Sequence, residues 1–516
     1  MSEQLTSNKT IAKNTIFLYF RMMFTMIISL YTSRVILQKL GVQDYGIYQA
    51  VGGIVGFLSF INGALSTGSS RFLTFALGVG DKGKLKRTFS TTLIVHIVLA
   101  IFIAFIAEFG GLWFIEYKMV IPSDRINAAI FTFHLSIITA LLTLTQVPYN
   151  ACIIAHERMS VFAYISIVEV SLKLIIVYLL TIWNFDRLML YASLLFVVQA
   201  GLMIFYRFYC SHNFEESRFC LIFDKNIFKE IAGFSGWSLF ANASIALNSQ
   251  GILLLLNMFF SPAVVAARAI SIQVNMAANQ FVSNFRTAVN PQIVKKYASK
   301  DYEGSKNLLL SSTKYSYYMM LILALPICLS ADHLLHIWLG VVPEYTKIFL
   351  QIIVIQSLFQ VFDTSFYTAL YAKGQLRENA LLSPLFGFIS FPIVYFLFKA
   401  GFSPVTLSWA SLVSYAILGV IIKPILIIKI ANYKWNDIFS VFYSCAKVSI
   451  IAIPIPLSVY FEIEYITTIM WFQFIILIIT SVLSVIISSW AFGLDSETRN
   501  KVLFLIKKKI HIQNIF

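Results

Sequence analysis

The sequence predicts an all-α membrane protein of fourteen transmembrane helices: two pseudo-equivalent six-helix bundles followed by two C-terminal helices. Three observations lead there, namely the apolar stretches, the sidedness of charge and an internal repeat. Apolar residues make up 59% of the 516 and charged residues 12%, with a mean hydropathy of +0.79. A soluble domain of this length carries roughly twice that charged fraction. A helix needs about 20 apolar residues to cross the hydrocarbon core. Such stretches lie near 14–38, 45–66, 89–113, 126–150, 161–182, 188–209, 233–258, 262–286, 314–337, 346–370, 380–399, 403–428, 438–460 and 466–490.

Taken in order, the first span is too long for a signal-peptide core. Tyr31, Arg34 and Gln38 stand where small cleavage-site residues belong, so it is expected to be retained. Asn14, Arg21, Thr25 and Thr32 share one of its faces. In the second span Gly52, Gly56, Ser59, Gly63, Ser66 and Ser70 form a small-residue face, suited to close helix packing or to a smooth cavity wall. Trp113, Trp183 and Trp338 fall at span ends, where amphipathic rings favour the interface. Glu169 and Lys173 of the fifth span stand at i, i+4 in the favourable order and form a structural ion pair. The segment 211–232 is the most polar interior stretch, with Glu215, Glu216, Arg218, Asp224, Lys225, Lys229 and Glu230. It divides an N-terminal lobe (1–210) from a C-terminal one (233–430); residues 431–516 hold the two extra helices and a basic tail.

The seventh span places Ser235, Ser238, Asn242 and Ser249 on one face. In the eighth, Arg268 and Arg286 are 18 residues, or five turns, apart, and Asn275, Asn279 and Asn290 lie within about 40° of the same line. This polar stripe is about 27 Å long. A charge at mid-bilayer costs roughly 3 kcal/mol or more unless it meets a wet or polar interior, so the stripe is expected to line a hydrated cavity. In the tenth span Gln356, Gln360, Asp363 and Tyr367 share a face, and an intramembrane carboxylate such as Asp363 is a candidate for Na+ or proton coupling.

The net charge of +15 is a matter of topology. With the N-terminus inside, 26 of the 39 Lys and Arg fall on the cytoplasmic side and 8 outside. This is the positive-inside bias, and it places both termini in the cytoplasm. Nucleic acid is not the expected partner; contact with anionic membrane lipid is. Five cysteines without CxxC spacing and seven scattered histidines give no metal site. There is no Walker-type phosphate loop, no long outer loop with paired carboxylates, and no catalytic residue set; no enzyme and no cofactor is predicted.

The repeat shows as ungapped matches at an offset of 217: Ala155 with Ala372, Ser166 with Ser383, and Ile176-Val177-Tyr178 with Ile393-Val394-Tyr395. In each copy a span ends in a polar break, at Ala155-His156-Glu157-Arg158 and at Ala372-Lys373-Gly374-Gln375. Six spans separate equivalent positions, so the repeat is parallel.

Three motifs carry a resemblance: Leu40-Gly41-Val42-Gln43-Asp44-Tyr45-Gly46-Ile47-Tyr48, Phe234-Ser235-Gly236-Trp237 and Asn290-Pro291. With the fourteen spans and the repeat, the chain resembles the polysaccharide (O-antigen type) flippases of the multidrug/oligosaccharidyl-lipid/polysaccharide exporter (MATE-like) superfamily. The resemblance implies two six-helix lobes in a V plus two extra helices, set in the bacterial inner membrane. It also implies a cavity between spans 1, 2, 7 and 8 for an undecaprenyl-pyrophosphate-linked glycan, and contact with polysaccharide polymerase machinery. On that reading Arg21, Arg268, Arg286, Asn275, Asn279 and Asn242 line the headgroup cavity. The pyrophosphate pairs first with Arg21 and Arg286, since guanidinium suits bidentate phosphate contact, and Arg268 receives it nearer the outside. A lipid II-type flippase and a drug or cation antiporter share the architecture; a membrane glycan polymerase or ligase is the alternative from a different class.

Overall fold

A computed structural model describes residues 2–58, 61, 69, 72–77, 80–156, 158–180, 185–218, 220, 222–231, 243, 246–375, 377–495 and 499–500, with side-chain detail beginning at Met22. The described residues are helical, with no strand among them. In chain order the helices are α1 (Ser2–Leu58), α2 (Lys82–Tyr117), α3 (Ile126–Ala155), α4 (Met159–Leu179), α5 (Arg187–Asn213), α6 (Ile252–Phe259), α7 (Pro262–Ala298) and α8 (Tyr302–Leu329). There follow α9 (Ala331–Leu339), α10 (Thr346–Lys373), α11 (Arg377–Lys399), α12 (Thr406–Ala431), α13 (Trp435–Ala452), α14 (Pro454–Ile466) and α15 (Met470–Ser488). Eight of the described helical segments are long and apolar enough to cross a membrane.

The polar breaks fall where the sequence places them. α3 ends at Ala155 and α10 at Lys373, the latter capped by Gly374 at φ 77°, a conformation glycine adopts without steric cost. Helix starts recur through the repeat at 82 and 302, 126 and 346, 159 and 377, and 187 and 406, offsets of 218 to 220. The two halves are therefore pseudo-equivalent, and the two C-terminal helices stand outside the repeat. Spans one and two differ from expectation in their connection: α1 runs from the first into the second as far as Leu58, with a break at Gly41 (φ 83°, ψ 166°).

α2 shows how a membrane helix inverts the soluble pattern. Val98, Ile101, Phe102, Phe105 and Phe109 follow one exposed face, while Thr88, Ser90, Thr91, Thr92 and His96 are buried. The bilayer accepts the apolar face, and the polar groups need partners inside the protein. Ser90 and Thr91 find theirs in the polar segment after α5. The Ser90 hydroxyl donates to the Cys220 carbonyl and accepts from the Ile222 amide at 2.9 Å, and Thr91 accepts from the Asp224 amide at 3.0 Å. The segment 211–232 is thus docked on α2 through Cys220, Ile222 and Asp224.

By Cα proximity the chain forms two units, residues 1–270 with 387–404, and residues 271–386 with 405–516. This partition cuts α7 between Ile270 and Ser271 and differs from the repeat-based lobes. In the second unit, Tyr318, Phe362 and Phe366 pack with Val441, Val448 and Val485. Tyr317 Oη meets Ser449 Oγ at 2.9 Å, and Ser484 donates to the Ala452 carbonyl at 2.7 Å. Helices α13 and α15, one from each of the two extra spans, therefore belong to the core of the second unit. Between α7 and α8, Asp301 caps α8 by accepting from the Gly304 amide at 2.9 Å; Lys296 at 2.8 Å and that amide hold its carboxyl below the usual aspartate range.

Candidate functional site

The C-terminal part of α7, from Ser271 on, carries the site in the second unit. Asn275, Asn279 and Arg286 recur at helical spacing, so one face of α7 presents them to α10. Ser357 Oγ donates to Asn275 Oδ1 at 2.7 Å, and Asn279 Nδ2 donates to Ser357 Oγ at 3.0 Å and to the Asn275 carbonyl at 2.9 Å. Two turns on, Arg286 is buried, at 9% exposure. Its Nη1 donates to Thr364 Oγ1 at 2.5 Å, Ser365 Oγ at 2.9 Å and the Val361 carbonyl at 3.5 Å. Its Nη2 donates to Thr368 Oγ1 at 3.1 Å and to the Thr364 carbonyl. Every one of these acceptors is neutral. The guanidinium is solvated by hydroxyls and carbonyls and keeps its full charge.

A cavity of about 650 Å³ opens beside this network. Thr287, Asn290 and Lys295 of α7 and Tyr367, Thr368 and Tyr371 of α10 line it. Thr368 links the two, since its hydroxyl accepts from Arg286 and donates to Asn290 Oδ1 at 3.3 Å. Lys295 is the charged residue among those lining it, and no carboxylate is among them. Val294 and Ala298 complete the wall, which is therefore largely apolar and aromatic, with hydroxyl and amide groups, one cation and Arg286 one hydroxyl behind it.

Asp363 is not a lone carboxylate. Lys423 of α12, 2% exposed, places Nζ 2.9 Å from Asp363 Oδ1. That carboxylate oxygen has no well-directed hydrogen bond; the ammonium donates to Asn379 Oδ1 and lies 5.5 Å from the centre of the Tyr367 ring. Lys423 is one of the 26 Lys and Arg that the sidedness of charge assigns to the cytoplasmic side; the structure corrects this to a buried residue. The signal was available in its position, six residues inside a 26-residue apolar stretch that the hydropathy pattern marks as a span.

Arg268 belongs to the first unit and is buried at 3% exposure. Glu169 and Lys173 pair at 2.6 Å on α4. The Arg21 side chain, Asn242 and the Phe234–Trp237 motif lie outside the described residues. Of the small-residue face, Ser59, Gly63, Ser66 and Ser70 lie outside the described residues, and Gly52 and Gly56 on α1 differ in their surroundings. A Cβ on Gly56 would stand 3.2 Å from Gln250 Cδ, whereas one on Gly52 would meet nothing within 4 Å. Gly52 and Gly56 with Tyr48, Ser136, Thr139 and Thr143 line an uncharged cavity of about 260 Å³ in the first unit.

Sequence reasoning did not find a second arginine centre, although it quoted one of its members in a motif. Arg125, just before α3, holds Asp44 through two bonds, Nε to Oδ1 at 2.8 Å and Nη2 to Oδ2 at 2.5 Å. It holds Asp186, the N-cap of α5, through Nη1 to Oδ2 at 2.5 Å and Nη2 to Oδ1 at 3.3 Å. Asp186 in turn accepts from the Leu188 and Met189 amides. The motif around Asp44 now has a physical account. Gly41 makes the break, Asp44 takes the arginine, Tyr45 is buried, and a Cβ on Gly46 would lie 1.9 Å from the Pro262 carbonyl oxygen.

No protein-family model matches the chain. An uncharacterized membrane protein of Bacillus subtilis (strain 168), EpsK, is 22% identical over 432 residues, covering 80% of this chain and 82% of that protein. Among solved structures, the lipid II flippase MurJ in an inward closed conformation superposes with TM-score 0.68 at 12% identity, over 93% of this chain and 98% of MurJ. An inward-facing multidrug resistance MATE transporter superposes with TM-score 0.64 at 14% identity, over 81% of this chain and 98% of that one. The chain is thus a multi-pass, all-α membrane protein with the fold that the MATE and MurJ transporters share.

Proposed function

We propose that this chain is a transporter that carries a polyprenyl-pyrophosphate-linked oligosaccharide, an O-antigen or capsule repeat unit, across the bacterial inner membrane by alternating access. The observation that carries this reading is the cavity between α7 and α10. Its lining is aromatic and apolar, set with hydroxyl and amide groups and with Lys295 as its charge, and the guanidinium of Arg286 stands behind Thr368. Such a wall suits an anionic headgroup attached to a sugar: cations meet phosphate oxygens, and tyrosines offer faces and hydroxyls to a glycan. The same wall speaks against a cationic drug as cargo, because bringing a like charge to Lys295 and Arg286 is unfavourable. In this scheme Arg286 exchanges some of its hydroxyl partners for phosphate oxygens, and Arg21 and Arg268 complete the path. Asp363 is committed to Lys423, so coupling through it requires that pair to open.

A lipid II-type headgroup is the second reading. It is favoured by the 93% coverage against MurJ, compared with 80–82% for the multidrug MATE structures. One experiment separates the readings. In a strain lacking this gene, lipid-linked oligosaccharide is expected to accumulate facing the cytoplasm and surface glycan to be lost, with both reversed by the wild-type chain. Rescue of a strain depleted of lipid II flippase, with surface glycan unaffected, would replace the first reading by the second.

A further inference from the structure

A cluster outside the transport cavity has the makings of a metal site. Cys152 and His156 stand one turn apart at the end of α3, and so on one face. Glu216 reaches them from the short helical turn Glu215–Ser217 that follows α5. The thiol sulfur lies 3.5 Å and His156 Nε2 2.5 Å from Glu216 Oε1, and all three ligand atoms fall within 4.8 Å of one another. Cys152 is 1% and Glu216 8% exposed, while the His156 side chain is 25% exposed. The imidazole is held flat against Phe214, centroids 4.1 Å apart and planes 12° from parallel.

We infer that Cys152, His156 and Glu216 bind a divalent cation of the zinc class, which clips the segment after α5 onto the end of α3. Sulfur, nitrogen and carboxylate oxygen are the zinc donor set, and bond lengths near 2.0–2.3 Å give tetrahedral edges of about 3.3–3.6 Å. The thiol–carboxylate separation already fits; the imidazole–carboxylate separation opens by about 1 Å through the Glu216 side-chain torsions. Charge favours the same occupant. A divalent ion held by one thiolate and one carboxylate is electroneutral, which suits a buried site. On binding, the metal takes the thiolate and the Cys152 proton passes to solvent by way of the partly exposed edge at His156. Nor does the fold demand the cluster. At the repeat offset of 217 the equivalents of Cys152 and His156 are Ala369 and Lys373, and Lys373 simply donates to the Ile430 carbonyl.

The test uses the full-length chain in detergent, stripped with a chelator and titrated with Co²⁺ and then Zn²⁺. A thiolate-to-cobalt charge-transfer band is expected, saturating at one equivalent and displaced by Zn²⁺. Cys152→Ser should abolish the band, and both Cys152→Ser and Glu216→Gln should weaken Zn²⁺ by at least about tenfold. In wild type, Zn²⁺ but not Mg²⁺ should slow tryptic cleavage after the exposed Arg218. A cobalt spectrum without a thiolate band, or Zn²⁺ affinity unchanged in Cys152→Ser, overturns the inference. If the variants do not fold, the wild-type proteolysis decides alone: equal cleavage with Zn²⁺ and Mg²⁺ overturns it.

Discussion

Arg125 and Arg286 are both tucked into helical packing, and both donate from their two Nη atoms, yet they sit in opposite electrostatic surroundings. Arg125 meets two carboxylates, Asp44 and Asp186, so the cluster carries one net negative charge. Arg286 meets three hydroxyls and two carbonyls, and the nearby Asp363 is paired with Lys423. The first arrangement has nothing left to offer an anion; it joins the α1 break, the start of α3 and the cap of α5. The second keeps an unneutralised cation beside a cavity. The contrast separates an arginine kept for architecture from one kept for cargo, and it rests on the charge of the partners rather than on burial.

The contrast can be broken most sharply at Arg125. Arg125→Ala leaves two partly buried carboxylates facing each other and should destabilise the protein by about 3–5 kcal/mol, read as loss of monodisperse protein in detergent on heating. Recovery in an Arg125→Gln, Asp44→Asn double variant would identify the charge as the cause, and an unaltered melting profile in Arg125→Ala would refute the architectural role. Next in size, Gly46→Ala forces a methyl against the Pro262 carbonyl and should cost roughly 1–3 kcal/mol, visible in the same melt. A variant as stable as wild type would mean that α1 is free to move away there.

At the other pole, Arg286→Lys keeps the charge and loses the fork. Transport should fall about tenfold, or about 1.4 kcal/mol in the barrier, measured as surface glycan at equal protein level. Full activity would show that geometry at Arg286 is irrelevant to the cargo. The smallest effect is expected from Thr368→Val, which removes the hydroxyl between Arg286 and Asn290. It should cost about 1 kcal/mol in stability and shift apparent substrate affinity more than maximal rate. An effect on stability alone would detach the cavity wall from the arginine.

Helix positions, the repeat and the polar face of α7 were legible because each follows from periodicity along one chain segment. Arg286, Asn275 and Asn279 do face a common partner helix, and Glu169 with Lys173 needed only the i, i+4 rule. What escaped was long-range pairing. Asp44, Arg125 and Asp186 come from three separate turns, and each alone looks like a solvated loop charge. Lys423 looked cytoplasmic because its partners, Asp363 and Asn379, are 60 and 44 residues away. The Cys152–His156 spacing was visible as an i, i+4 pair, but nothing local announces Glu216 as the third member.

The docking of residues 220–224 on Ser90 and Thr91 bears on how this protein should be handled. Hydropathy would nominate the polar stretch after α5 as the natural place for a reporter fusion, an epitope tag or a split between co-expressed halves. Tolerance of insertions depends on a backbone free of hydrogen-bonding duties, and here those amides and carbonyls are already engaged.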